Sequence, residues 1–178
     1  PKLGLALACE ATGELDIAEA LYGVCARTDA AYIPPAAFAM ARIRASRGSL
    51  PGAVAALDLV PPASRAYPEA RAHRAQALLS SGGGLSALAE SMASIADVPL
   101  APELRASLTV RALRAALDTV LAQGPQPAVT IGRRPAVEAE LRDGLEEGYR
   151  ALAQMASDPA ERIDLVDQAN EVRRWTFR

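Results

Sequence analysis

The chain has 178 residues, 51% of them hydrophobic and 22% charged, a net charge of −2, two cysteines and one histidine. Cys9, Cys25 and His73 are too few ligands for a zinc ribbon, a cysteine-rich secreted scaffold or a multi-histidine metal centre. A general nucleic-acid binder is excluded as well, because 21 acids offset 19 basic residues along the same segments. No apolar run approaches the roughly 18 residues that span a bilayer, and Pro1 opens directly into periodic sequence without a signal-peptide layout. A cytoplasmic protein is expected, with no nucleic-acid or membrane partner and no cofactor. About 40 alanines against 4% aromatics favour helices that approach one another closely.

In chain order, apolar residues recur at helical spacing between explicit stops. Lys2 to Ala11 ends at Gly13, and Leu15 to Ala26 carries Leu15, Ala18, Leu21, Tyr22 and Cys25 on one stripe. Ala36 to Arg47 ends at Gly48, and Ala53 to Val60 ends at Pro61-Pro62. Pro68-Glu69, a proline with an acid in the first turn, opens a helix that reaches Leu79 and breaks at Gly82-Gly83-Gly84. Leu85 to Ala96 follows, then a longer helix from Pro102 to Ala122. A loop is expected from about 124 to 135, with no strand anywhere. Val137 to Ala156 and a last helix opened by Asp158-Pro159-Ala160-Glu161 and running to about Arg173 complete about nine helices.

The stops repeat. Gly13 and Gly48 are 35 residues apart, and the glycine triplet lies 34 to 36 beyond Gly48. Within that frame Ala18 and Tyr22 correspond to Ala53 and Leu57. A small residue where two helices cross, repeated at this period, is the pattern of the tetratricopeptide repeat, whose helical hairpins stack one on the next. The expected fold is all-α: a right-handed solenoid of stacked hairpins, with Ala18 and Ala53 at the crossings and Tyr22 and Leu57 packing behind them. Residues 1–178 read as one domain, with better-defined repeats over 1–97 and divergent helices over 98–178.

No catalytic constellation is visible. His73 lies in Arg71-Ala72-His73-Arg74 with no nucleophile or second histidine nearby, and reads as a structural residue. Cys9 and Cys25 face each other across the first hairpin, either as small core residues or as a redox pair. Gly82-Gly83-Gly84 lacks the preceding strand and the following Lys-Ser/Thr of a phosphate cradle. Gly144 and Gly148 mark close helix packing, and the charges from Arg142 to Arg150 a solvated face. An active site in a helical bundle would need converging acids and histidines, which one histidine does not supply.

In repeats of this kind the first helix of each hairpin lines a groove, and the frame turns Leu3, Leu7, Phe38 and Arg42 toward it. The resulting face is apolar with one cation. It reads as a protein-binding groove, with Phe38 as anchor, or as the end of a longer array covered by a further hairpin.

Ala36 to Tyr67 (AAFAMARIRASRGSLPGAVAALDLVPPASRAY), the opening PKLGLALA and the closing LVDQANEVR from Leu165 to Arg173 resemble, in that order, the C-terminal tetratricopeptide region of the protein kinase G family of mycobacterial-type serine/threonine kinases. The sequence departs from the family between Gly124 and Pro135. There family members carry an aromatic Gly-Phe-Pro-Phe stretch and this chain has Ile131-Gly132-Arg133-Arg134-Pro135. The tail Trp175-Thr176-Phe177 keeps the family's Thr-Phe ending.

The resemblance implies a rubredoxin-like domain and a kinase domain elsewhere in the parent protein, and a role for this region in dimerisation and in organising kinase and protein substrates. Its implied partners are the parent's kinase domain, a second copy, and a forkhead-associated regulator as substrate. The chain itself has no Gly-rich nucleotide loop, no His-Arg-Asp or Asp-Phe-Gly motif and no Cys-x-x-Cys pair, so no catalysis is expected of it. A free-standing scaffold that binds a peptide or helix in its groove is the alternative.

Overall fold

The computed structural model describes residues 2–174, so Trp175, Thr176 and Phe177 lie outside the described residues. Two compact units divide the chain, Pro1–Ser81 and Gly82–Arg178. The boundary falls at the glycine triplet, inside the span 1–97 that the repeat spacing groups together.

In the first unit the helices are α1 (Lys2–Ala11), α2 (Leu15–Cys25), α3 (Ile33–Ser46), α4 (Leu50–Leu57) and α5 (Tyr67–Ser80), with a single 3-10 turn at Ala30–Tyr32 before α3. The first two reversals have the same physical cause. Gly13 (φ +82°) and Gly48 (φ +77°) sit in the left-handed region, where a side chain would be strained. The residue after each glycine donates back to the helix it ends, Glu14 N to Cys9 O and Ser49 N to Arg44 O, both at 2.8 Å. That is a Schellman cap, made twice at a spacing of 35 residues. Helix α3 starts three residues earlier than its periodicity indicates, because Pro34 and Pro35 fall in the first turn, where a missing N–H leaves no bond unmade. Along the unit each helix packs on its sequence neighbour. The shared core consists mainly of small side chains, including Ala6, Ala18, Ala36, Ala56 and Ala70, around Tyr22, Met40 and Ile43.

The second unit holds α6 (Gly84–Ile95), α7 (Pro102–Gln123), α8 (Glu138–Met155) and α9 (Pro159–Val172). Asp158 caps α9, its Oδ1 accepting the Ala160 N–H at 3.2 Å, with Pro159 in the first turn. Helix α8 lies between α7 and α9. Against α7 it presents Gly144 and Gly148, where an added Cβ would come within 3.0 Å of Leu113 and 2.6 Å of Val110. The nine α-helices of the described residues form the all-α, tetratricopeptide-like fold.

The expected loop over 124–135 is corrected. Gln126–Ile131 (β1) and Arg134–Ala136 (β2) pair antiparallel, with Ile131 opposite Arg134 across the two-residue turn Gly132-Arg133. Gly132 at φ +64° supplies the backbone that this tight hairpin turn demands. Only Ile131 and Ala136 of the two strands are buried, so no alternating stripe marks them in the sequence.

Candidate functional site

Helices α3 and α5 bound a cleft of about 500 Å³ in the first unit, closed beneath by α4. From α3 come Phe38, Arg42 and two alanines, from α4 Leu50, Ala53 and Leu57, and from α5 Glu69, His73 and Gln76. Of the residues that the repeat frame turns toward a groove, the cleft brings Phe38 and Arg42 together. Leu3 and Leu7 do not line it. Leu3 packs against the core of the first unit, and Leu7 is 53% exposed on α1. Of the residues assigned to the crossings and the packing behind them, Ala18, Tyr22, Ala53 and Leu57 are all buried, and Ala53 and Leu57 also form the floor of the cleft.

His73 stands at the mouth of the cleft. Its ring meets Phe38 edge-on, centroids 5.6 Å apart and planes at 74°, and its Nε2 lies 3.9 Å from Glu69 Oε1 one turn back on α5. The signal for it was in the repeat: Leu3, Phe38 and His73 are each 35 residues apart and hold the same place in successive hairpins.

Arg42 is not a free cation. Its Nε and Nη2 both donate to Glu10 Oε1, at 2.9 and 2.6 Å, while Glu10 Oε2 accepts the Tyr22 hydroxyl at 2.7 Å. Burial raises the Glu10 carboxyl, but the bonds from Tyr22 and Arg42 and the charge of Arg42 outweigh it and leave the group below its ordinary value. Burial first, and then the bond to Glu10 and its negative charge, push the Tyr22 hydroxyl up to about 12 against the opposing charge of Arg42. Three helices are thus tied at one carboxylate, and Arg42 is held in a fixed plane with 61% of its side chain still exposed. Nothing in the sequence pattern singled out Glu10.

Cys9 and Cys25 are buried in the core around Tyr22 and are not joined by a disulfide. Among the described residues no cluster of three or more His, Cys, Asp and Glu side chains could hold a metal ion, and no helix is long and apolar enough to cross a membrane. The charges on α8 pair locally: Arg142 with Glu138 at 2.7 Å, Arg150 with Glu146 at 3.0 Å, and Glu147 with Arg134 of β2 at 2.6 Å.

Comparison with known proteins agrees with this architecture. The model of the protein kinase G tetratricopeptide repeat matches residues 1–176. The serine/threonine-protein kinase PknG of Mycobacterium leprae (strain TN) is 36% identical over 97% of this chain, and PknG of Mycolicibacterium smegmatis is 37% identical over the same share. The match occupies 23% of each relative's length, so the chain spans about a quarter of the kinases it resembles. Helical hairpins capped by glycines one repeat apart, and a family match over almost every residue, lead to one assignment: the chain belongs to the protein kinase G tetratricopeptide repeat family.

Proposed function

We propose that this chain is a non-catalytic docking domain of a PknG-like serine/threonine kinase in the cytoplasm, holding protein partners through the α3/α5 cleft. The observation that carries the reading is the cleft itself, which sets the Phe38 ring over an alanine- and leucine-lined floor beside an arginine fixed by Glu10. An apolar pocket rimmed by polar groups is the form of a protein anchor site. The partners proposed are the kinase domain of the parent, a second copy of the chain and, by analogy with the family, a forkhead-associated substrate. Catalysis is assigned to the parent's kinase domain, because this chain has neither nucleotide-binding nor kinase motifs. Leu3 and Leu7 are proposed as a second, separate contact on α1.

The test is Phe38→Ala combined with Arg42→Gln. Glutamine is used because a glutamate there would face Glu10. With helicity and melting midpoint retained, self-association by sedimentation velocity or affinity for a PknG-type kinase domain should fall about tenfold, the effect of removing one aromatic anchor. A folded double variant that leaves both unchanged places docking elsewhere.

A further inference from the structure

The charges at the cleft have an order. The chain reverses direction after α3 and again after α4, so α3 and α5 run the same way. Phe38 and His73 face each other across the opening. Arg42 follows Phe38 by four residues, and Glu69 precedes His73 by four. One helical turn in each direction, about 6 Å, therefore places the cation and the anion at opposite ends of the aromatic pair, about 12 Å apart along the cleft.

Both ends are open to a ligand. Arg42 spends Nε and Nη2 on a single oxygen of Glu10, and Nη1 has no partner among the described residues. Glu69 is mostly exposed and, among the described residues, its carboxylate meets only His73, at 3.9 Å. Between the ends the floor is apolar, formed by Ala41, Ala45, Leu50, Ala53 and Leu57. A cleft of about 500 Å³ holds a few inserted side chains and not the body of a segment. It matches the side chains of a few residues of extended chain, in which alternate side chains point the same way and 12 Å corresponds to about four residues.

We propose that the α3/α5 cleft selects an extended partner segment of bipolar chemistry, in which an apolar residue entering beside Phe38 is flanked two positions away by a basic residue on the Glu69 side and two positions away by an acidic residue on the Arg42 side. This rests on the docking role proposed above and adds the chemistry of the partner. Charge complementarity is the argument: one end of the site offers the Glu69 carboxylate, the other the Nη1 edge of a guanidinium whose opposite edge is held by Glu10, so an acidic residue gains a donor at the Arg42 end and a basic residue gains none there.

The experiment uses three fluorescein-labelled nonapeptides with the cores Lys-Ser-Leu-Ser-Glu, Lys-Ser-Leu-Ser-Lys and Glu-Ser-Leu-Ser-Glu, titrated with the chain at low ionic strength and read by anisotropy. The Lys/Glu peptide should bind tightest, by roughly two- to fivefold over each of the others, the size expected of one exposed ion pair. Glu69→Gln should erase the difference between the Lys/Glu and Glu/Glu peptides, and Arg42→Gln that between Lys/Glu and Lys/Lys. Equal affinities in the wild type overturn the bipolar assignment; if Phe38→Ala then weakens all three, the docking role survives it. No saturable binding of any peptide overturns the extended-segment site, while the docking role is judged separately by sedimentation and kinase-domain binding.

Discussion

Glu10 and Arg42, 32 positions apart in sequence, meet through two hydrogen bonds to one carboxylate oxygen, at 2.9 and 2.6 Å. The other oxygen takes the hydroxyl of Tyr22, a residue buried in the core of the first unit. A charge-assisted bond of this kind is stronger than a neutral one, and its loss leaves a partly buried carboxylate short of a donor.

Stability should therefore depend on pH at both extremes. The Tyr22 hydroxyl is raised on folding from 10.0 to about 12, so its contribution is complete below pH 10 and declines as pH rises toward about 12, where the unfolded chain ionises first. The Glu10 carboxyl is lowered from 4.5, so its contribution is complete above that pH and declines on acidification through the folded value. Unfolding free energies of Tyr22→Phe from urea titrations should lack the alkaline decline between pH 10 and 12 and lie about 1–2 kcal/mol below wild type at pH 7. An alkaline slope equal to wild type would separate Tyr22 from the effect.

Ala53 is buried where α4 meets its neighbours and forms part of the cleft floor. Ala53→Trp should cost about 1–3 kcal/mol through overpacking, since Ala53 is almost fully buried and a larger side chain has to displace its neighbours. An unchanged thermal midpoint would show that the crossing has slack.

Two glycines in helices should respond with opposite signs to the same change. A Cβ on Gly148 would lie 2.6 Å from Val110 Cγ2, a stiff, buried side chain, whereas one on Gly4 has nothing within 4 Å. Gly4→Ala should stabilise by about 0.5–1 kcal/mol from propensity alone, and Gly148→Ala should destabilise despite the same gain. Combining Gly148→Ala with Val110→Ala should recover part of the loss, a coupling that a double-mutant cycle reads directly.

Arg134 fastens the hairpin to α8. Its guanidinium reaches Glu147 at 2.6 Å, and its stem occupies the space over Gly144 where a Cβ would stand 2.5 Å away. Arg134→Ala should raise amide hydrogen exchange of β1 and β2 by an order of magnitude or more while leaving α1–α5 unaffected. Unchanged protection of the hairpin would show that Ile131 and Ala136 alone hold it.

The helix boundaries that were legible rest on local devices that depend on few residues, a left-handed glycine after α1 and α3 and an aspartate cap at the start of α9. The hairpin was not, because Pro127 and Pro135 argue against strands and the two buried residues leave no alternation to read. Half of the cleft followed from the repeat frame, which gave Phe38 and Arg42; one more step of 35 residues reaches His73. Glu10 was beyond reach, since its role comes from two side chains on other helices, and no periodicity encodes a tertiary ion pair.

The paired Schellman caps also bear on how the first unit is built in time. Because each glycine folds a helix back onto the one before it, most native neighbours lie within a few dozen positions of each other, and little chain must be looped before they meet. Low contact order of this kind favours fast assembly. During synthesis α1 and α2 can pair before α3 has emerged, and Arg42 then reaches a Glu10 already positioned by Tyr22. The ion pair across 32 residues thus becomes a late clasp on a preformed hairpin, so its removal should speed unfolding while leaving the folding rate nearly unchanged.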